Sequence, residues 1–104
     1  MADYVLVYSG GGMPETEEEG ARVMAAWGAW YEKLGEAIVD GGNPIGQVKG
    51  ITPDGTVSDI VGGPTGYTIV TADSIDQAVE MAADCPILEG YSGSIQVCET
   101  FEAM

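Results

Sequence analysis

Residues 66–77 read Gly66-Tyr67-Thr68-Ile69-Val70-Thr71-Ala72-Asp73-Ser74-Ile75-Asp76-Gln77, a strand that runs straight into a helix start. The β-branched and aromatic residues of 66–72 suit a pleated, buried surface. Ser74 and Gln77 have the spacing of a capping box, in which the hydroxyl and the amide side chain each take an orphan N–H of the first turn. The helix that follows is predicted to carry Ile75, Ala78, Val79 and Ala82 on one face and to stop at Pro86, beside Cys85. The N-terminal part repeats this grammar. Tyr4-Val5-Leu6-Val7-Tyr8 is apolar on both alternating faces, the pattern of a strand buried on both sides. Ser9-Gly10-Gly11-Gly12-Met13-Pro14 is turn-rich. Thr16-Glu17-Glu18-Glu19 forms a second capping box, with its acids at the positive end of the helix dipole. Met24, Trp27, Tyr31, Leu34 and Ile38 continue at spacings of three and four, and Gly35 is placed to end the helix.

Between these halves, Ala37 to Asp40 reads as the entry to another strand, broken by Gly41-Gly42-Asn43-Pro44. Gln47 to Thr52 and Thr56 to Val61 flank Pro53-Asp54-Gly55, a hairpin turn in which Pro fixes φ and Gly permits positive φ. Ser94 to Glu99 alternates as a last strand. The order is β-α-β-β-α-β, an α+β, ferredoxin-like arrangement with two helices on one face of an antiparallel sheet. The other sheet face is left open, yet the first strand has no polar side to show to water. An uncovered apolar face argues for a partner, and a second copy in a symmetric homodimer is the expected one.

The 104 residues are expected to form one domain, 1–104, able to bury about 65% of the unfolded surface without metal or disulfide staples. Seventeen acids face only Arg22, Lys33 and Lys49, for a formal net charge of -14. That excess argues against nucleic acid and anionic membrane surfaces as partners, since both need Lys and Arg to neutralise phosphate. An acidic surface of this kind keeps a small domain soluble and is also a feature of proteins from salt-rich cytoplasm. The sequence has no histidine, which removes histidine acid–base chemistry, Ser-His and Cys-His pairs and most zinc sites. The start lacks a basic region and its apolar run is too short for a signal peptide. No stretch approaches the roughly 18 apolar residues of a membrane span. Cys85 and Cys98 are not in a C-x-x-C pair and read as reduced thiols of a cytoplasmic protein.

Tyr4-Val5-Leu6-Val7-Tyr8, Met24-x-x-Trp27-x-x-Trp30-x-x-x-Leu34-Gly35 and Asp40-Gly41-Gly42-Asn43-Pro44 together resemble the YCII-related proteins. Gly63-Pro64-x-Gly66-Tyr67-x-Ile69, Ala72-Asp73-Ser74-x-Asp76-x-Ala78, Cys85-Pro86 and Gly93-Ser94-Ile95-x-Val97 extend the likeness over nearly the whole chain. The resemblance implies a dimeric α+β barrel, a small bacterial cytoplasmic protein, and a cleft between helix and sheet; it supplies no activity. Some relatives carry a His–Asp pair proposed as catalytic. Here Asp40 is the candidate for the acid, while Trp27 or Trp30 falls near the position of the histidine. The pair is broken, so its chemistry does not carry over.

Among the residues themselves, Gly10-Gly11-Gly12 lacks the third glycine of a dinucleotide fingerprint, and Glu15, Glu17, Glu18 and Glu19 would repel a phosphate. Those same acids serve the helix dipole, and no calcium-loop spacing occurs, so neither a metal nor a cofactor is expected. Trp27, Trp30 and Tyr31, with Tyr8, Tyr67 and Tyr4, suit either a core or an apolar pocket with polar tips. Tyr8, Trp27, Trp30, Tyr31 and Tyr67 are therefore the candidate ligand-binding residues. Asp40 ends an apolar stretch, where burial would raise its pKa and fit it for general-base work; a turn acid beside two glycines is the alternative. Cys85 and Cys98 have no cation nearby to activate them. Three functions follow: a dimer binding a small molecule in an aromatic cleft between the first helix and the sheet; a small cofactor-free lyase, isomerase or hydrolase using Asp40 with Tyr8 or Tyr31; or an interaction module whose acidic surface meets a basic partner.

Overall fold

The computed structural model describes residues 2–11, 15–88 and 93–102; Gly12, Met13 and Pro14 of the glycine-rich loop lie outside the described residues. The elements are β1 (Ala2–Ser9), α1 (Glu17–Leu34), β2 (Ile38–Asp40), β3 (Lys49–Ile51), β4 (Val57–Asp59), β5 (Pro64–Ala72), α2 (Ile75–Ala83) and β6 (Ser94–Glu99), with 3-10 turns at Gly35–Ala37 and Pro86–Leu88. A four-stranded sheet has the order β2-β5-β1-β6, and β3 pairs with β4 in a separate ribbon. Every pairing is antiparallel. The α+β, ferredoxin-like order expected from the sequence is therefore the one observed, and the hairpin is an excursion between its second and third main strands.

Both helix starts form as the sequence predicts. Thr16 Oγ1 accepts from the Glu19 N–H at 3.0 Å, and Ser74 Oγ from the Gln77 N–H at 3.1 Å. The return bonds land one residue early, on the N–H groups of Glu15 and Asp73. Gly35 ends α1 with φ 52°, and its N–H donates to the Tyr31 carbonyl. The hairpin turn is held by the Asp54 carboxylate, which accepts from the Thr52 hydroxyl and from the Thr56 N–H. The paired segments are shorter than Gln47–Thr52 and Thr56–Val61, at three residues each. Ile51, Val57 and Val61 stay exposed there, since nothing among the described residues forms a second layer over the ribbon.

Strand alternation places the core. Tyr4 pairs with Val70, Leu6 with Thr68 and Tyr8 with Gly66, and all six are buried on the helix side of the sheet. Ala78, Ala82 and Cys85 close over them from α2 and the segment after it. The face predicted for α2 is half right. Ala78 and Ala82 are buried, but Ile75 and Val79 are 44% and 47% exposed. Small residues let the helix approach the sheet closely, and the larger ones flank that contact. On α1, Met24 is 75% exposed rather than part of the packed stripe; the contact begins one turn later, at Trp27, Trp30 and Tyr31.

The opposite sheet face carries Val5, Val7, Tyr67 and Ile69, all half-buried in the single chain. The double burial predicted for β1 is thus complete on one side only, because nothing among the described residues forms a layer on the other. The chain is flat, with extents of 47 × 37 × 18 Å and a Cα radius of gyration of 15.3 Å. A compact domain of this length has about 13 Å.

Candidate functional site

A cleft of about 290 Å³ opens between α1, the segment after β2 and the start of β5. Its walls carry Tyr8, Trp27, Tyr31, Gly41–Pro44, Thr65–Tyr67 and Ile87. Each wall has a local cause. Tyr8 enters on the buried face of β1. Trp27 and Tyr31 are four apart on α1 and share a face. The Gly41-Gly42-Asn43-Pro44 break folds back along β5, with Pro44 bridging to Gly66 and the Ile45 N–H donating to the Thr65 carbonyl. Gly42 permits this path: its φ is +81°, and a Cβ there would lie 1.6 Å from the Tyr67 carbonyl oxygen.

The aromatic rings interlock. Tyr8 and Trp27 meet edge to face at 5.5 Å, and Trp27 lies 5.9 Å from Tyr31. One hydrogen-bond network runs behind them. The Tyr8 hydroxyl donates to Thr68 Oγ1 at 2.6 Å, and Thr68 Oγ1 donates to the Gly41 carbonyl at 3.1 Å. Tyr31 donates to that same carbonyl at 3.2 Å. Among the described residues, no Lys, Arg, Asp or Glu lines the cleft.

The structure brings Tyr8, Trp27, Tyr31 and Tyr67 to the cleft wall and leaves Trp30 and Asp40 outside it. Trp30 is a core residue, 3% exposed, and its indole Nε1–H donates to the Met81 carbonyl at 2.9 Å. It is bound to α2 instead of facing the cleft. Tyr67 lies on the wall, but its neighbours Gly66 and Thr68 are buried toward the helices, so its side chain alternates to the open sheet face. What it gives the cleft is main chain against Gly42. Asp40 is exposed and outside the lining; its Oδ1 accepts from the Gly42 N–H at 2.8 Å, an Asx turn. The burial on which a general-base role was argued is absent in the single chain, because Asp40 ends the short edge strand β2 and its side chain is exposed. Gly41 to Pro44, Thr65, Thr68 and Ile87 were not foreseen as site residues. The Gly-Gly-Asn-Pro break was the signal in the sequence for the first four.

Burial pushes the Tyr8 hydroxyl well above the ordinary phenol range, only partly opposed by its bond to Thr68, so it stays protonated. Burial likewise pushes the Cys85 thiol up to about 11 from 9.0. The fold therefore holds the neutral thiol, and a group whose folded pKa is raised stabilises most fully below its unfolded pKa. Stability is expected to fall as pH rises from about 9 to about 11, with Tyr8 adding to the loss from about 10 upward. Urea midpoints across that range test this; a Cys85→Ala variant should give a flatter profile, and an identical one would remove Cys85 as the cause.

Among the described residues no group of three or more His, Cys, Asp or Glu is placed to hold a metal ion, and no helix is long and apolar enough to cross a membrane. No family model matches the chain, and no curated protein does. A solved structure does: 5-chloro-2-hydroxyhydroquinone dehydrochlorinase from Burkholderia phenoliruptrix AC1100, in complex with 2,5-dihydroxybenzoquinone. The likeness has a TM-score of 0.52 at 18% identity and covers 94% of this chain and 93% of that one. At that identity the likeness establishes the fold alone: this chain is an α+β, ferredoxin-like protein.

Proposed function

We propose that the protein is a cytoplasmic homodimer that binds a small planar molecule in the cleft between α1 and the sheet. The observation that carries this reading is the convergence of Tyr8, Trp27 and Tyr31 on one apolar, uncharged cavity beside a backed hydroxyl network. Such a combination of apolar walls and a few fixed polar atoms is what small-molecule sites are made of. The dimer reading is supported by the half-buried Val5, Val7, Tyr67 and Ile69 on one sheet face and by the thinness of the single chain. Light scattering is expected to return twice the protomer mass at micromolar concentration, and the protomer mass would overturn that part.

Binding is tested by a thermal-shift screen of planar metabolites. A ligand at 100 times its Kd adds about 2.7 kcal/mol, several degrees for a domain of this size. A hit is expected to lose its shift in Trp27→Ala, which strips the central ring from the wall. A screen with no hit, or hits indifferent to Trp27, would overturn the reading.

The fold neighbour is a dehydrochlorinase, which favours a second reading, catalysis in the same cleft. Asp40 is the acid adjoining the wall in sequence, next to Gly41. If it acts as the base, Asp40→Asn abolishes turnover of a bound substrate while leaving its Kd intact; unchanged turnover removes Asp40 from the chemistry.

A further inference from the structure

The hydroxyl groups of the cleft have already spent their protons. A carbonyl oxygen can only accept, so the Thr68–Gly41 bond commits the Thr68 hydrogen to the Gly41 carbonyl. The 2.6 Å bond between Tyr8 and Thr68 then requires Tyr8 to be the donor. Tyr31 donates to the Gly41 carbonyl and Thr65 to the Gly10 carbonyl, each at 3.2 Å. Both lone pairs of Gly41 are thereby used. What Tyr31 and Thr65 have left to offer a molecule in the cleft is lone pairs on oxygen, whereas the buried Tyr8 oxygen is already engaged by Thr68 and lies against the Cys85 thiol. Burial keeps Tyr8 protonated, so the arrangement persists through neutral pH.

Shape and charge narrow the occupant further. The Tyr8, Trp27 and Tyr31 rings suit a flat aromatic body. No cation stands among the described lining residues, and a formal net charge of -14 surrounds them, so an anion meets repulsion with no compensating positive charge. Resting on the small-molecule reading of this cleft, we infer that it selects un-ionised aromatic molecules bearing hydroxyl groups, phenols and hydroquinones, over their ethers and over aromatic carboxylates. The ligand's O–H groups donate to Tyr31 and Thr65 while its ring packs on Trp27.

The probes are hydroquinone, its dimethyl ether and benzoate, titrated into the protein with the Trp27 indole N–H signal as readout. Hydroquinone is expected to bind about tenfold more tightly than the ether, roughly the worth of one well-made hydrogen bond. Benzoate is expected to leave the signal unmoved. Tyr31→Phe keeps the half-buried ring and removes one acceptor, so the preference for hydroquinone should shrink severalfold. Equal or tighter binding of the ether, or tighter binding of benzoate, with Trp27 responding, overturns the donor selection and leaves the cleft reading standing. No response of Trp27 to any probe overturns both.

Discussion

Trp30→Ala is expected to destabilise the protein by about 3–5 kcal/mol, the range for removing a buried aromatic side chain. The loss has two parts. The ring is 3% exposed and packs 5.6 Å from Trp27 and 5.4 Å from Tyr31, so its removal leaves a void that rigid neighbours fill only partly. Its N–H also satisfies the Met81 carbonyl at the end of α2, the link that joins the two helices across 51 residues of sequence. Domains of this size have total stabilities of about 5–15 kcal/mol, so the variant consumes a large share. At about 4–8 °C per kcal/mol, Tm should drop by more than about 12 °C. Trp27→Ala, at a half-buried position on the cleft wall, should cost clearly less in the same denaturation series. Equal costs for the two would show that the division between a structural and a cleft tryptophan is wrong.

Gly42→Ala is expected to damage stability and cleft together. The left-handed backbone alone disfavours a Cβ by about 1–2 kcal/mol. The contact is worse, since the new atom would meet the Tyr67 carbonyl oxygen at 1.6 Å and its carbon at 2.6 Å. That obstacle is main chain of the central strand β5, and no side-chain rotation relieves it. The segment 41–44 must move off the strand, taking with it the Gly41 carbonyl that Tyr31 and Thr68 share. Gly41→Ala is the matched control: a Cβ there meets nothing within 4 Å and the backbone carries no positive φ. It should stay within about 0.5 kcal/mol of the parent, as ordinary surface changes do. If Gly42→Ala unfolds at the parent's urea midpoint and binds ligand normally, the close approach of this loop to β5 is refuted.

The parts of the fold readable in advance were those fixed by neighbours in sequence. Thr16, Ser74, Gly35 and the Pro53-Asp54-Gly55 turn each act within a few residues, and each forms where expected. The alternation of Tyr4, Leu6 and Tyr8 likewise assigns the core side of β1. The site depended on distant partners. Trp27 and Trp30 are three apart on one helix, about 60° around its axis, and periodicity cannot say which one faces the cleft. The Met81 carbonyl decides it, by taking Trp30. Asp40 looked poised for burial because apolar residues precede it; it ends a short edge strand instead, exposed in the single chain, and its carboxylate caps Gly42. Tyr67 belongs to the cleft through its backbone, a role that residue type does not advertise. Met24, Ile75 and Val79 matched helical spacing but fall beside the packed contact, because the width of an apolar stripe exceeds the width of what covers it.

The central claim, a ligand cleft walled by Trp27 and not by Trp30, is tested most directly by the two indole N–H signals of the 15N-labelled protein, one for each tryptophan of the sequence. On titration with hydroquinone the Trp27 signal is predicted to shift saturably, while that of Trp30, engaged with Met81 in the core, stays close to its starting position. A fixed Trp27 signal, or a saturable shift confined to Trp30, would contradict the account.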